Sequence, residues 1–334
     1  MTHIRRWAAL VVALLATGAL IVTAPADDQR ADSAVAGVLD GRQLRIMAPA
    51  APGGGWDQTS REMQKALRDI VGRSEVYNVG GAGGTIGLSQ FVRLNGDPSQ
   101  LMTTGLIMIG AVETNDSPHS LAETVPLARL TTDYQVVVAA ANSPLKDMKA
   151  VARQMRDNLS GVSISGGSAG GVEQILAGLT AKAVGADPAK VSYVAHSGGG
   201  EALTTLLSGR STIGISGVSE VMPQIKAGQV RALAVSSPER LPELPDVPTL
   251  RESGLDVELQ NWRGVVAPKG ITSEQERALE QMLLDMTRTK EWRAALAARG
   301  WGDATLAGPE FEEFIRTEQT RVAQVLKEIG LGRS

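Results

Sequence analysis

Four clusters of glycine and small polar residues are the parts of this sequence whose spacing could do chemistry. They lie at residues 52–55 (PGGG), 80–84 (GGAGG), 166–171 (GGSAGG) and 197–200 (SGGG). Glycine lets a backbone approach a ligand closely, and the free N–H groups at a helix start carry a partial positive charge. Such clusters could therefore bind a carboxylate or a phosphate through backbone N–H groups and hydroxyls.

The third cluster also admits a hydrolytic interpretation. Residues 166–170 have the GxSxG spacing of a nucleophile elbow around Ser168, between a strand-like and a helix-like segment. The partners fit poorly, because His196 follows Ser168 closely in mid-chain and Glu173 is too near the serine to fold back as a triad acid. A secreted serine hydrolase using Ser168 stays open as an alternative.

Other chemistries fit the sequence less well. The chain has no cysteine, which excludes disulfides, thiolate metal sites and a cysteine nucleophile. It lacks the GxxxxGK phosphate loop, and residues 81–87 lack the following strand and acid of a dinucleotide site. The net charge of −3 and 3 % aromatic content disfavour a nucleic-acid partner. We therefore expect no metal, no cofactor and no nucleic acid.

The N-terminal residues have the pattern of an export signal. A short basic start precedes an apolar run from Trp7 to Val22, and a small-x-small site ends at Ala26. This pattern predicts a signal peptide over residues 1–26, with an uncleaved anchor as the alternative, and a linker over 27–41. We expect a monomer that is periplasmic or otherwise extracytoplasmic.

Strand-like and helix-like segments alternate along the rest of the chain, which predicts an α/β fold with largely parallel sheets. The predicted strands are Leu44–Met47, Glu75–Val79, Leu101–Thr104, Tyr134–Ala140, Val162–Ser165, Val191–Ala195, Thr212–Ile215 and Arg231–Ser236. Each glycine cluster follows a predicted strand and precedes a predicted helix. Turns of this kind share the carboxyl edge of the sheet, where ligands bind, so we expect the clusters to face one cleft.

Several motifs, in a fixed order, resemble the receptors of tripartite tricarboxylate transporters, also called Bug-type solute-binding proteins. The motifs lie at residues 52–57 (PGGGWD), 78–87 (NVGGAGGTIG), 193–207, 228–234, 245–250 and 261–270 (NWRGVVAPKG). The resemblance covers roughly residues 42–330, and the last motif is most similar to the tricarboxylate-type branch.

The resemblance implies a two-lobed periplasmic-binding-protein (type II) fold, with two parallel-sheet domains joined by crossing hinge strands. Lobe 1 would comprise residues 42–138 and 264–334, and lobe 2 residues 139–263. The implied function is a non-enzymatic receptor that captures a small carboxylate, either citrate-like or a dicarboxylate, for membrane transporter subunits. A ligand-sensing subunit for a membrane kinase is a further alternative.

The resemblance also implies the binding residues, by motif. They are Gly54, Gly55, Trp56, Asp57, Ala82, Gly83, Gly84, Thr85, Ser168, Ala169, Gly170, Ser197, Gly198 and Gly199. Three roles stay open. Trp56 could stack on the ligand or pack in the wall. Asp57 could cap its helix, or reach a water or a ligand amine. Arg263 could face the ligand or form an inter-lobe ion pair.

Overall fold

The computed structural model describes residues 35–332, beginning in a short helical segment at residues 35–39 (α1). The predicted signal peptide and the start of the predicted linker lie outside the described residues. Within residues 35–332, none of the helices combines the length and the apolar character needed to cross a membrane.

Within the described residues, ten strands form one mixed, curled sheet. They are β1 (Leu44–Ala48), β2 (Ser74–Asn78), β3 (Gln100–Gly105), β4 (Thr124–Ala140), β5 (Ser163–Gly166), β6 (Ser192–Ala195), β7 (Ile213–Gly217), β8 (Val230–Val235), β9 (Gln260–Pro268) and β10 (Gly302–Ala307). Their order is β2-β1-β3-β9-β4-β7-β5-β6, and β8 and β10 also pair with β4.

The helices after α1 follow most of these strands. They are α2 (Gly55–Ala66), α3 (Arg68–Val71), α4 (Thr85–Phe91), α5 (Leu106–Thr114), α6 (Met148–Asp157), α7 (Val172–Ala183), α8 (Gly199–Leu207), α9 (Val218–Lys226), α10 (Ser273–Arg288), α11 (Lys290–Arg299) and α12 (Gly308–Glu328). Each glycine cluster lies between a strand and a helix, as predicted.

The 17-residue strand β4 runs through both halves of the sheet. Residues 124–134 pair with β9, whereas residues 135–140 pair with β7 and β8. The outer strands are parallel, since β1 pairs with β2 and β3, and β5 with β6 and β7. The predicted α/β two-lobed fold is confirmed, but the sheet is mixed because the central strands are antiparallel.

We call lobe 1 the half of the sheet that contains β1, β2, β3 and β9, and lobe 2 the half that contains β5 to β8. The pairing partner of β4 changes between Tyr134 and Gln135. The division predicted from the sequence, 42–138 with 264–334 against 139–263, stays a prediction.

A buried serine joins the chain segments that cross between the lobes. The backbone N–H of Gln135 donates to Oγ of Ser236 at 3.0 Å, and that hydroxyl donates to the carbonyl of Leu259 at 2.7 Å. The backbones of Ser236 and Gln135, and of Leu259 and Ser236, are also hydrogen-bonded. One side chain thus connects β4 to the segment that returns to β9.

The C-terminal helix α12 packs its apolar stripe on the sheet, as its sequence pattern predicts. Phe311, Ile315 and Leu326 are buried. The ring of Trp262 on β9 lies 5.9 Å from that of Phe311 in an edge-on arrangement, and its Nε1 donates to Glu318 at 2.9 Å. Each buried side chain of this size stabilises the fold by about 1.5–3 kcal/mol, so α12 fixes the outer face of β9.

Candidate functional site

The glycine turns of both lobes meet around a cavity of about 50 Å³, which we call the inner cavity. Most of the predicted binding residues line it: Gly54, Gly55, Trp56, Gly83, Gly84, Ser168, Ser197, Gly198 and Gly199. The remaining predicted residues, Asp57, Ala82, Thr85, Ala169 and Gly170, are not among its lining residues. The structure therefore brings together all four clusters, and their role in binding stays a prediction.

The first turn of α2 presents bare backbone to the centre of the site. The carboxylate of Glu220 on α9, in the other lobe, lies beside the backbone of Gly55, which acts to lower its pKa. A Cβ atom at Gly55 would lie 2.7 Å from Nη2 of Arg263 and 2.9 Å from Oε1 of Glu220. A side chain at this position would displace the charged ends of Arg263 and Glu220, which lie directly against the helix start.

Asp57 stabilises the first glycine turn from behind. Its Oδ2 accepts from the Gly53 N–H at 2.8 Å and from Arg61 Nε at 3.0 Å, and its Oδ1 accepts from Asn78 at 2.9 Å. Burial alone would raise the pKa of Asp57, but these hydrogen bonds hold it below its ordinary value. The cap position is occupied by Gly54, so Asp57 fastens the turn to β2 and does not cap the helix.

The second glycine turn depends on left-handed backbone. Gly83 and Gly84 have φ values of 60° and 90°, which residues with a side chain rarely adopt. A Cβ at Gly83 would collide with Ala111 on α5, and one at Gly84 would lie 2.7 Å from the ring of Trp56. Trp56, which is 6 % exposed, therefore packs against this turn while also lining the inner cavity.

The histidines that a hydrolase would need are engaged elsewhere. Nδ1 of His196 lies 3.1 Å from the carbonyl oxygen of Gly166, and its Nε2 lies 2.8 Å from the hydroxyl of Thr205. His119 pairs with Glu123 at 3.0 Å. His196 thus stabilises the turn that carries Ser168, and it does not stand as a base beside the serine hydroxyl.

Arg263 lies at the centre of a buried group of charges. Its Nη2 lies 2.6 Å from Oδ2 of Asp133 on β4 and 4.0 Å from Oε1 of Glu220. Its guanidinium carbon lies 5.2 Å from the ring centre of Trp301. Arg263 therefore lines the inner cavity and also forms ion pairs that include a lobe 2 carboxylate, while its contact with a ligand stays a prediction.

Two glutamates beside the inner cavity have strongly shifted acidity. Burial raises the pKa of Glu173 on α7 to about 8, and the charge of Glu220 adds to this effect. Burial also raises the pKa of Glu220 to about 7, although Arg263 acts in the opposite direction. Both carboxyl groups therefore change charge near neutral pH.

Sequence reasoning did not assign Gln135, Glu173, Glu220 and Asn261 to the site, yet they line the inner cavity. One signal was present for Glu220, which follows β7 and Gly217 at the start of a helix, as the predicted clusters do. Glu173 also lies in the first turn of a helix that follows a glycine cluster. Their meeting with Gln135 and Asn261 depends on how the two lobes pack.

A larger cavity of about 370 Å³ adjoins the inner one, and we call it the outer cavity. The two share Gly54, Gly198, Gly199 and Glu220 in their walls. Apolar side chains of lobe 2, including Leu203, line the outer cavity further out. The site thus has a narrow polar end and a wider, more apolar end.

Comparison with known proteins identifies the family. The sequence model of one protein family, the tripartite tricarboxylate transporter family receptor, matches residues 59–331 of this chain. The chain belongs to this receptor family. Protein BugT from Bordetella pertussis is 26 % identical over 295 residues, covering 86 % of this chain and 90 % of that protein.

Solved structures of this type share the fold. The periplasmic binding protein BugD has a TM-score of 0.80 and 22 % identity, over 88 % of this chain and 99 % of BugD. A protein of R. palustris solved with adipate has a TM-score of 0.78 and 22 % identity, over 87 % and 98 % of the two chains. These likenesses support the two-lobed binding-protein fold of this receptor.

Proposed function

We propose that this receptor is an exported monomer that captures a small carboxylate, either citrate-like or a dicarboxylate, in the inner cavity. It would then deliver the carboxylate to the membrane subunits of a tripartite tricarboxylate transporter. The observation that carries the proposal is the convergence of glycine turns from both lobes on one cavity. Family membership supports it, as does the R. palustris neighbour that was solved with adipate. A sensing role would use the same capture step.

The groups around the inner cavity suit a carboxylate. Nη1 of Arg263 is buried and has no hydrogen-bond partner within residues 35–332. The glycine turns present backbone at the starts of helices, where N–H groups favour anions. The hydroxyls of Ser168 and Ser197 can add donors. A carboxylate bound here would receive charge-assisted hydrogen bonds on its two oxygens.

Capture requires the lobes to move, because the inner cavity is only about 50 Å³ in volume. Two crossing segments, β4 and the stretch that returns to β9, join the lobes, which suits a hinge motion. Residues of both lobes line the cavity, so a ligand gains contacts only when the lobes close on it. The ligand then shifts the equilibrium towards the closed form.

A thermal-shift screen against carboxylates tests this function. A ligand present at about 100 times its dissociation constant stabilises the folded state by about 2.7 kcal/mol, or roughly 5 °C in melting temperature. We expect such a shift with at least one member of a panel of mono-, di- and tricarboxylates and amino acids. Unchanged melting temperatures with the whole panel would contradict the proposal.

Replacing Gly198 with leucine is expected to abolish binding without unfolding the protein. Gly198 lines both cavities, has extended backbone, and a Cβ there would meet no atom within 4 Å. The side chain would therefore fill the space between the lobes, with a loss of about 1 kcal/mol at most from the helix cap.

The matched control for Gly198→Leu is Gly37→Leu. Gly37 also has open space around its Cβ position, but it is not among the residues that line either cavity. Melting temperature and affinity for the ligand found in the screen are measured for both variants. Full affinity in Gly198→Leu would remove this turn from the site.

A further inference from the structure

Several buried hydrogen-bond acceptors that line the inner cavity lack a donor. Oε2 of Glu173, Oε1 of Gln135 and Oδ1 of Asn261 are buried and have no partner in the described part of the chain. These residues are only 7 %, 1 % and 2 % exposed, and all three line the cavity. A buried acceptor without a donor costs free energy, so this arrangement favours a ligand that brings donors.

The charges around the cavity lead to the same conclusion. Three carboxyl groups interact electrostatically here, those of Asp133, Glu173 and Glu220. Within the described chain, Arg263 is the cation that interacts with them. Nη2 of Arg263 is already paired with Asp133 at 2.6 Å. A positive group on the ligand would favour the ionised form of these carboxyls and would balance their charge.

We infer that the ligand carries a protonated amine beside its carboxylate, and that the Glu173 carboxylate binds this amine. The inference rests on the proposed function. In this arrangement the ligand carboxylate faces Arg263 and the glycine turns, while the ammonium group donates to Glu173 and to the amide oxygens of Gln135 and Asn261. Glu173 is a specificity-determining residue that separates amino acids from simple organic acids.

Glu173 is held in place for this task by its surroundings. A Cβ atom at Gly167 or Gly171 would lie 3.0–3.1 Å from a carboxylate oxygen of Glu173, so the glycine turn fits closely over this side chain. The hydroxyl of Tyr193, which also interacts electrostatically with Glu173, donates to the carbonyl of Gly167 at 3.0 Å. The carboxylate is therefore fixed beneath the turn that contains Ser168.

Matched pairs of acids that differ only in the amine test the inference. The pairs are succinate with L-aspartate and glutarate with L-glutamate, each titrated calorimetrically into the full protein. We expect the amino member of at least one pair to bind about tenfold more tightly or better, as a charge-assisted hydrogen bond predicts. Equal or tighter binding of the acids without the amine overturns the inference and leaves the receptor function intact. If neither these acids nor the screening panel bind, both fail.

The Glu173→Gln variant tests whether Glu173 causes the preference for the acid that carries an amine. Glutamine keeps the shape of the side chain but not the charge, so the variant is expected to lose most of the preference for the amino member. Glu291→Gln is the control, because Glu291 is an exposed acid in the first turn of α11 and lines neither the inner nor the outer cavity. An unchanged preference in Glu173→Gln, with its fold verified by circular dichroism, would overturn the role of Glu173.

The pH dependence separates two ways in which Glu173 could act. The charged or titratable groups that face it are Tyr193 on β6, Glu220 on α9, Asp133 on β4 and Arg263 on β9. If the ionised carboxylate binds an ammonium group, affinity for the amino acid rises between pH 6 and 8, by at most about tenfold per unit. If a protonated Glu173 instead donates to a ligand carboxylate, affinity falls over that range and the inference is wrong.

Discussion

Replacing Arg263 with methionine is expected to lower the free energy of unfolding by about 3–5 kcal/mol and to abolish carboxylate binding. Arg263 and Asp133 are each only 3 % exposed and lie 2.6 Å apart. Methionine would leave Asp133 buried without its cation, and Glu220 would lose the charge that lies 4.0 Å away. Urea denaturation followed by circular dichroism measures the change.

The control for Arg263→Met is Arg42→Met at the surface. Arg42 pairs with Asp97 at 2.9 Å, but their side chains are 48 % and 32 % exposed. Exposed pairs contribute about 0–1 kcal/mol, so this variant should remain close to the parent protein. In the double variant Arg263→Met with Asp133→Asn, part of the lost stability should return. Equal losses in Arg263→Met and Arg42→Met would show that removing Arg263 does not leave a costly uncompensated charge on Asp133.

Raising the pH from 5 to 9 is expected to destabilise the folded protein. The pKa values of Glu173 and Glu220 are about 8 and 7 in the folded protein, against an ordinary value of 4.5. Between pH 4.5 and 8 the folded state therefore binds more protons than the unfolded state, so stability falls as the pH rises. At about 1.36 kcal/mol for each pK unit, the total loss above pH 5 is on the order of 7 kcal/mol, and it levels off above pH 8.

Urea midpoints at each pH unit from 5 to 9 measure this slope, and two variants assign it. Glu173→Gln and Glu220→Gln each remove one titrating carboxyl, so each should flatten part of the slope. The carboxyls whose pKa values are lowered, such as that of Asp57, titrate below this range and do not contribute. A stability that stays constant or rises between pH 5 and 8 would show that these glutamates ionise normally.

The sequence predicted the part of the site that depends on local patterns. Every predicted strand overlaps an observed one, and the four glycine clusters lie at the strand ends, because turns and strand alternation leave local signals. The start of α2 at Gly55 leaves no clear local signal, since glycine disfavours helix interiors but is tolerated at the first turn. The first part of β4 was not predicted because Pro126 is unfavourable within a strand, and a bulge accommodates the proline there.

The rest of the site could not be predicted because it depends on contacts between distant segments. Glu220 and Gly55 belong to different lobes, and their proximity follows from how the lobes pack. Gln135 and Asn261 lie on the central strands, where a polar residue leaves no periodic signal. The strand β10 has mostly small residues, none of them buried, and no apolar alternation, so no pattern marks it.

The hydrogen bonds of Ser236 lie beside the inner cavity, where β4 passes between the lobes. Gln135 lines that cavity and also bonds to Ser236 at the point where β4 passes from one lobe to the other. In the proposed closing motion, a ligand that contacts Gln135 would lie close to the hinge axis. A small rotation of the lobes about this axis would become a large displacement at their outer rims. Gln135 would then both contact the ligand and lie at the hinge. Ser236 bonds to Gln135 but does not line the cavity, so substitutions at Ser236 should alter the opening angle without touching the ligand.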